Sequence, residues 1–345
     1  YNIDIKNNRY EGYIKNAFIL DKTHGTNIAV MANVSMHQSD ALYGDKQYNV
    51  NQKNAYAQMM FETNFTSSHN LSLGMSINHD YFGQSIANAG LDAHNEKETT
   101  PGIYAQYTYN LNDKFILLAG IRADYSEKYD FFVTPRVHIK YNPFDWFHVR
   151  ASVGKGYRTA NVLAENNFLL ASSRKMRIAE NLDQEEAWNT GLNLSFYIPI
   201  AGKELTLNGE WYYTDFNKQV VVDVDSNPHE VSFYNLEGSS YSNSFQLEAT
   251  YPFFRGFTLT AAYRYTDAQT DYRNEAGLIY RMKKPLVSDY KGLLTASYQT
   301  PLKKWQFDVT SQFNGGGRMP LPDTTHPLWD SEFKAYTVVN AQVTR

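Results

Sequence analysis

Two short motifs in this chain of 345 residues contain side chains of the kinds that bind phosphate or calcium. GKG at 154–156 provides two glycines of a phosphate loop, but the third glycine of GxGxxG is missing and no helical pattern follows. DVDSN at 223–227 starts like a calcium loop, yet Pro228 takes the place of the turn glycine and Tyr234 that of the last glutamate. We therefore expect no nucleotide site at the first motif and a solvated acidic loop tip at the second.

Patterns that indicate catalysis are equally scarce. The chain has no cysteine, which excludes disulfides, thiolate metal sites and cysteine nucleophiles. Its nine histidines form no HExxH pair, and no Ser-His-Asp signature is present. Met31, Met60 and His37 are predicted to share one face of neighbouring strands, where a soft metal or a haem would find ligands, although ordinary packing is the favoured interpretation. We expect no enzyme, no cofactor and no metal site, and keep an enzyme as the weakest alternative.

Charge and hydropathy exclude two further classes. The formal net charge is −4 and no cluster of Lys or Arg stands out, so nucleic acid is not an expected partner. The mean hydropathy is −0.53, and no run approaches the roughly 20 apolar residues of a membrane-spanning helix. A helical membrane protein is therefore excluded.

The elements that must position the polar residues are strands, because apolar and polar residues alternate with a period of two along most of the chain. Trp305, Phe307 and Val309 fall on one face of such a segment. Gln306 and Asp308 fall on the other. About fifteen strands of this kind start near residues 9, 26, 53, 71, 101, 114, 131, 146, 183, 203, 230, 256, 286, 304 and 335.

The connections between these strands alternate in length. Tight turns are predicted near 21–25, 67–70, 112–114, 143–146, 200–203, 253–256 and 301–304, and longer connections over 37–52, 82–100, 126–130, 158–182, 217–229, 267–285 and 315–334. Short turns at one end and long loops at the other are typical of a membrane barrel with short periplasmic turns. The predicted fold is therefore all-β, a transmembrane antiparallel β-barrel, with a large soluble all-β protein as the alternative.

In such a barrel the apolar face meets lipid and the polar face lines the lumen. We expect an outward orientation for Trp305, Phe307, Val309, Phe257, Leu259 and Tyr263. We expect an inward orientation for Arg122, Asp124, Arg264, Gln306 and Asp308. Because single-chain bacterial barrels have an even number of strands, further strands are expected outside 1–345.

Several stretches resemble the barrel of TonB-dependent outer-membrane receptors. They are GIRADYS at 120–126, VTPRV at 133–137, SVGKGYRTANVLAE at 152–165, NLDQEEAWNTGLNLSF at 181–196 and FYNLEGSSYSNSFQLEATY at 233–251. The last stretch departs from the family pattern, because Ser244 and Phe245 stand where a glycine is common. The abundance of Tyr, Asn and Lys resembles receptors of the Bacteroides group.

The resemblance implies a bacterial outer-membrane receptor with a barrel of 22 strands and an N-terminal plug. Residues 1–345 would be a partial barrel domain, about 15 of the 22 strands, and the plug domain and last strands would not be in this chain. Such receptors import a scarce nutrient (an iron siderophore, haem, cobalamin or a glycan) with energy from the TonB complex, which contacts the plug. Outer-membrane lipid and the imported ligand are the other implied partners, and a surface lipoprotein is left open. A passive porin is the main alternative function.

Ligand contacts are expected where a long loop meets the lumen. The candidates are Tyr157, Arg158, Tyr234, Asn235, Arg318, His326 and Trp329. Arg suits carboxylate or phosphate groups, and Tyr or Trp offers a flat apolar face to a macrocycle or sugar. The alternative is structural: the arginines pair with neighbouring acids, as Arg158 with Glu165, and the aromatic residues pack the loops.

Overall fold

The computed structural model describes residues 2–274, 276–320 and 330–345. The strands among these residues are, in chain order, β1 (Ile3–Asp21), β2 (Thr26–Tyr43), β3 (Lys46–Thr66), β4 (His69–Ala87), β5 (Glu96–Leu111), β6 (Phe115–Ser126), β7 (Asp130–Phe144), β8 (Phe147–Arg158), β9 (Lys175–Ile178), β10 (Glu185–Ile200), β11 (Lys203–Lys218), β12 (Val220–Asp223), β13 (Glu230–Asn235), β14 (Ser240–Phe254), β15 (Phe257–Arg273), β16 (Ile279–Lys283), β17 (Tyr290–Gln299), β18 (Gln306–Asn314), β19 (Gly317–Arg318), β20 (Glu332–Phe333) and β21 (Tyr336–Thr344). A short helix α1 (Val162–Asn166) and a 3-10 turn (Asn167–Ala171) follow β8. Among the described residues, no helix is long and apolar enough to cross a membrane.

Fifteen strands form one antiparallel wall in which neighbours along the chain are neighbours in the sheet. The order is β1-β2-β3-β4-β5-β6-β7-β8-β10-β11-β14-β15-β17-β18-β21, and β16 pairs with the upper part of β15. The all-β antiparallel architecture and the number of strands agree with the sequence prediction. Within the described residues, β1 and β21 pair on one side only.

The seven predicted tight turns all join consecutive wall strands at the same end of the sheet. At the opposite end, several segments predicted as loops form strands instead. The connection predicted over 37–52 is a two-residue turn at Gly44 and Asp45, since β2 and β3 continue almost to their tips. The wall strand predicted to start near 230 starts at Ser240 instead, and 230–235 forms β13 outside the wall.

The turn between β2 and β3 explains why so short a connection suffices. Gly44 has φ of +68°, and Tyr43 and Lys46 on either side are register partners. A glycine with positive φ at the first central position is the requirement of a type II′ hairpin turn, whose twist matches that of the strands. The two strands therefore remain paired to the tip.

The two faces of the wall differ as predicted. Tyr263, Trp305, Phe307 and Val309 are all at least 40% exposed on the outer face, and alternation places Phe257 and Leu259 on the same face. Inner-face side chains bind one another: Arg264 donates to Gln246 Oε1 through Nε and Nη2, 2.9 and 2.7 Å, and Gln306 Nε2 donates to Asp308 Oδ1 at 3.0 Å. Arg122 and Asp124 also pair on the inner face.

The apolar side chains of β2, β3 and β4 do not stay on one face. They point outward along the lower part of these strands and inward near the tips, which lie at the end away from the tight turns. Lower down, Ala57, Met59 and Ile77 point outward and Gln58 points inward, where its Nε2 donates to Tyr104 Oη. Near the tips the inward side chains are apolar and buried, namely Ala41, Tyr43, Tyr48, Val50 and Phe82. The outward residues there are polar, such as the exposed Asp40 and Gln47. This upper part of the wall therefore packs against protein inside and meets water outside.

The connections 159–184 and 219–239, which we call the cap, fill the space beside these inward residues. In the cap β12, β13 and β9 form a three-stranded sheet, in which β13 and β9 run parallel. Val231 and Phe233 of the cap are 0% and 1% exposed and belong to one apolar cluster with Tyr48 and Phe82 of the wall. Since the cap follows β8 and β11, several strands away from β3, the wall must curve so that these surfaces meet. The inner face is thus the concave one.

Candidate functional site

A polar cavity of about 440 Å³ lies on the inner face below the start of the cap, and we call it the upper-lumen pocket. Strands β3 to β6 and β8 provide most of its lining, and residues 159 and 161 of the cap close one side. Its charged and aromatic lining residues include Asp80, Glu96, Glu98, Arg122, Lys128 and Tyr157. The alternation of β4, β5 and β6 brings these residues together, because every second side chain points inward.

The carboxylates of the pocket are held by hydroxyl and amide donors. Ser126 Oγ donates to Glu98 Oε1 at 2.6 Å, and Thr159 Oγ1 donates to Glu98 Oε2 at 3.2 Å. Asn54 Nδ2 and Asn78 Nδ2 donate to Asp80 at 2.9 and 2.6 Å. Glu98 therefore connects the start of the cap to the wall.

The cations of the pocket are likewise fixed. Arg122 Nε donates to Asp124 Oδ2 at 2.8 Å and its Nη2 to Ser76 Oγ at 2.7 Å, and the Asp124 side chain is fully buried. Lys128 Nζ lies 3.3 Å from Glu96 Oε2 in the turn between β6 and β7. Burial alone would lower the pKa of Lys128, but its hydrogen bond to Tyr129 and the charge of Glu96 raise that pKa above its usual value. Lys128 is a stable cation at the pocket.

Tyr157 gives the pocket an aromatic side. Its ring meets Phe132 edge-on with centroids 4.0 Å apart, and Phe132 is buried. A fixed aromatic ring among bound carboxylates and cations offers stacking and hydrogen bonding to a polar ligand. Within the described part of the chain, no three His, Asp or Glu side chains are grouped to hold a metal ion.

Arg158, the neighbour of Tyr157 in the chain, binds two glutamate side chains and does not line the upper-lumen pocket. Its Nη1 donates to Glu165 Oε2 at 2.9 Å, and its Nε donates to Glu185 Oε2 at 2.7 Å. Glu165 Oε1 also accepts from the backbone N–H of Asn161 at 3.0 Å. Arg158 therefore fixes both ends of the first cap connection, as the structural alternative in the sequence analysis has it.

Tyr234 and Asn235 lie at the end of β13, inside the cap. Tyr234 Oη donates to Asp223 Oδ2 at 3.0 Å and accepts from the backbone N–H of Arg273 at 3.0 Å. Burial, aided by Asp223, raises the pKa of Tyr234. Asn235 Nδ2 donates to the carbonyl of Asn181 at 2.7 Å. Asn235 therefore joins two cap segments, and Tyr234 joins the cap to β15.

Arg318 lies in β19, in the connection after β18, and binds a carboxylate of the DVDSN motif. Its Nη1 and Nη2 donate to Asp225 Oδ1 and Oδ2 at 2.8 and 2.9 Å, and its Nε donates to the carbonyl of Lys283 at 2.7 Å. The side chains of Arg318 and Asp225 are 12% and 3% exposed. Burial would lower the pKa of Arg318, but Asp225 raises it above its usual value.

The DVDSN loop is therefore not the solvated tip that was expected. Asp223 is 2% exposed, and its Oδ1 accepts from the backbone N–H groups of Asp225 and Ser226 at 2.9 and 3.0 Å. The acids are buried because the arginine of a distant loop and the local N–H groups satisfy them, and sequence spacing shows neither partner. Asp223 shapes the turn and Asp225 holds Arg318.

The predicted ligand residues are thus not gathered at one place. Tyr157 lines the upper-lumen pocket with Arg158 at its edge, whereas Tyr234, Asn235 and Arg318 lie within the cap and its neighbouring loop. His326 and Trp329 lie outside the described residues. Whether any of the seven binds ligand remains a prediction.

Sequence reasoning missed the acids of the pocket. Glu96 and Glu98 were assigned to a long loop over 82–100, but β4 continues to Ala87 and β5 begins at Glu96. The signal that was available is the alternation in β5, where Glu96, Glu98 and Thr100 occupy every second position. These three residues extend the inward-facing row of the strand to residues before 101, where the strand was predicted to start.

Comparison with known proteins was made at the level of families and folds. A family model described as TonB dependent receptor-like, beta-barrel, matches residues 2–345. No curated protein matches the sequence.

Solved structures of similar fold share little sequence with this chain. The ferric enterobactin receptor PfeA of Pseudomonas aeruginosa matches with a TM-score of 0.72 and 12% identity, over 98% of this chain and 54% of that one. The FrpB iron transporter of Neisseria meningitidis gives 0.67 and 13%, over 97% and 55%. The alcaligin outer membrane receptor FauA of Bordetella pertussis gives 0.64 and 12%, over 99% and 57%. The chain spans about half the length of these structures, and the likeness establishes the fold.

Proposed function

The chain belongs to the TonB-dependent receptor-like β-barrel family, and we propose on that premise that it is the barrel wall of a receptor that imports a scarce ligand with energy from TonB. It is an outer-membrane protein of a Gram-negative bacterium. In the proposal, a plug domain fills the lumen of the wall and contacts the TonB complex. Ligand binding then occurs above the plug.

The observation that carries the proposal is the upper-lumen pocket beneath the cap. Tyr157, held against Phe132, gives it an aromatic side, and Arg122, Lys128 and Glu98 give it fixed charges of both signs. A passive pore needs an open passage, whereas here apolar packing of the cap against the wall covers part of the lumen. A covered binding pocket suits capture of a dilute ligand followed by an energised release.

For the ligand class, we propose a ferric siderophore in preference to haem, cobalamin or a glycan. Support comes from the similar structures, which are described as a ferric enterobactin receptor, an iron transporter and an alcaligin receptor. Siderophores carry hydroxyl, amide and carboxylate groups, which suit the cations and hydrogen-bond acceptors of the pocket. No catalytic role is proposed, because the family is one of receptors.

The test is uptake of radioactive iron by cells that express the full-length protein. A panel of iron-labelled catecholate, hydroxamate and carboxylate chelates is offered to three strains: a tonB-positive strain, a tonB deletion, and the same deletion with tonB restored. We expect accumulation of at least one chelate only in the two strains that have TonB, and its loss from them when an uncoupler collapses the proton-motive force. Undiminished uptake without TonB would support the porin alternative instead.

Failure of the ligand assignment is separable from failure of the transport proposal. If no chelate is imported but labelled haem, cobalamin or an oligosaccharide is taken up in a TonB-dependent way, the receptor proposal stands and the siderophore assignment is wrong. A cell without the protein gives the background in each case.

A further inference from the structure

On the outer face, an apolar groove of about 620 Å³ crosses β3 to β7 at the height of Ala57 and Met59. Its lining includes Met75, Ile77, Ile103, Tyr125 and Phe131. The groove exists because small residues, Ala57 and Ala123 among them, stand between these larger side chains. Its width and apolar lining suit a hydrocarbon chain.

Directly above the groove, two lysines stand in one row of the sheet. Lys53 pairs in register with Tyr81, and Tyr81 pairs with Lys97. With strands about 4.8 Å apart, the two lysines emerge about 10 Å from each other on the same face. Lys53 and Lys97 are exposed, and Lys53 Nζ lies over the Tyr81 ring at 6.0 Å.

The row of residues between the two lysines and the groove contains further polar side chains. His79 lies between the lysine row and the groove, and its Nδ1 is 2.8 Å from Thr99 Oγ1. No Asp or Glu shares the outer face of β3, β4 or β5. On β2 the first outward carboxylate is Asp40, four residues beyond Met36, the register partner of Lys53. The patch is therefore cationic without a nearby acid on its own strands.

The height of the lysine row places it at the membrane surface. From Lys53 down to Thr66, beside the tight turn, the strand has thirteen steps of about 3.3 Å at a tilt of about 40°, which is a rise of about 33 Å. The apolar band of a membrane barrel is about 25 Å tall. Lys53 also marks the level at which outward residues change from apolar to polar, since Ala55 and Ala57 lie below it and Gln47 lies above.

We propose that this surface binds a lipid of the outer leaflet whose phosphate headgroup carries a net negative charge. Lys53 and Lys97, with His79 below them, bind the phosphate, and one acyl chain lies in the groove between Ala57 and Phe131. The lysines also extend their alkyl chains along the strands, so the ammonium groups reach the headgroup layer. The positive charge of the lysines favours a negatively charged headgroup. The groove favours a lipid over a free anion, because only a lipid has an acyl chain to place there.

The experiment uses the full-length protein purified in detergent, with native mass spectrometry counting bound lipids. The probes are a dioleoyl phosphatidic acid and a dioleoyl phosphatidylcholine of equal chain length. We expect phosphatidic acid to bind more tightly than phosphatidylcholine. Lys53→Ala with Lys97→Ala should weaken phosphatidic acid binding about 30-fold, since each lysine near an anionic headgroup contributes about 5-fold.

Two further variants separate the parts of the site. Lys6→Ala is the matched control, because Lys6 is an exposed lysine whose Nζ lies 3.6 Å from Asp4, and its loss should leave lipid binding unchanged. Ala57→Phe fills the groove and should weaken binding of phosphatidic acid while both lysines remain. A difference in gel migration between unheated and boiled samples, equal to that of the unmodified protein, shows that each variant has folded.

Three results would overturn the proposal. The first is equal binding of the two lipids, and the second is an unchanged affinity for phosphatidic acid in the double lysine variant. The third is full competition by millimolar inorganic phosphate, which would mean that the site binds an anion without binding an acyl chain. The transport proposal does not depend on any of them.

Discussion

Arg318 and Asp225 form the most buried ion pair between loops in the described structure, and they join the connections after β11 and β18. Arg318→Ala would leave the Asp225 carboxylate, 3% exposed, without its bidentate partner. Removing one member of a buried pair costs about 3 to 5 kcal/mol. We expect the segment 220–235 to exchange its amide hydrogens faster, as measured by hydrogen exchange with mass spectrometry.

The control is Lys283→Ala. Lys283 Nζ binds Asp289 at 2.9 Å, but both side chains are more than a third exposed, and such pairs contribute about 0 to 1 kcal/mol. Exchange in 220–235 should then stay at the level of the unmodified protein. Equal acceleration in both variants would show that the cap does not depend on the Arg318 pair.

Tyr234 makes the cap sensitive to alkaline pH. Because burial and Asp223 raise the pKa of Tyr234, the folded cap favours the neutral phenol, and its contribution is complete below the usual tyrosine pKa of about 10. The contribution is lost as pH rises above that value, since the unfolded segment then releases a proton that the folded one retains. We expect the protection factors of the cap amides, which correct for base-catalysed intrinsic exchange, to fall above about pH 10, and Tyr234→Phe to reduce that dependence.

Tyr157 is the predicted ligand residue that lines the upper-lumen pocket. Tyr157→Ala removes the ring that meets Phe132 edge-on, and we expect ligand affinity to fall about tenfold in whole-cell binding with labelled chelate. Tyr265→Ala is the matched control, because Tyr265 is an exposed tyrosine on the outer face. An unchanged affinity for Tyr157→Ala would place the ligand elsewhere in the lumen.

At the scale of one strand, β17 tests which face meets lipid. Leu294 is 41% exposed on the outer face and lies near mid-strand, whereas Thr295 points inward, where its Oγ1 lies 3.1 Å from Thr310 Oγ1. Leu294→Arg should destabilise the barrel by about 2 to 4 kcal/mol, the cost of Arg near the bilayer midplane. Thr295→Arg should cost less, and denaturant titration of the full-length protein in lipid vesicles compares the two.

Elements were predictable wherever one face met lipid along their whole length. The strand containing Phe307 and Val309 is an example, since its inward residues are all polar. Prediction failed where the apolar face changes side. In 37–52 the buried Tyr43 and Tyr48 point inward while polar residues point outward, so the pattern seemed to break although the strands continue.

The cap shows the complementary error. VSFYN at 231–235 alternates like a wall strand, yet it packs within the cap, where Val231 and Phe233 are almost fully buried. Period-two alternation reports a strand with one apolar face but not what covers that face. Contacts between distant loops, such as Arg318 with Asp225, leave no trace in local spacing.

For the whole molecule, the tight turns at one end predict hairpins, such as β1 with β2 and β3 with β4. The structure adds that these hairpins stand side by side in chain order in the fifteen-stranded wall. The family resemblance, carried by stretches such as 120–126 and 152–165, agrees with the family match over 2–345. The substrate was not predictable, because the pocket combines strands far apart in sequence.

The paired strands β2 and β3 have a practical consequence. They run 18 and 21 residues, about twice the 9 to 11 that cross a bilayer, and a turn of two residues joins them. Their tip therefore stands well clear of the lipid on a stiff ribbon. A short epitope inserted between Gly44 and Asp45 should be stained by antibody on intact cells, whereas the same epitope at 112–114 should be stained only after permeabilisation. The turn between β2 and β3 would thus be a suitable insertion site for displaying foreign peptides on the surface of a living cell.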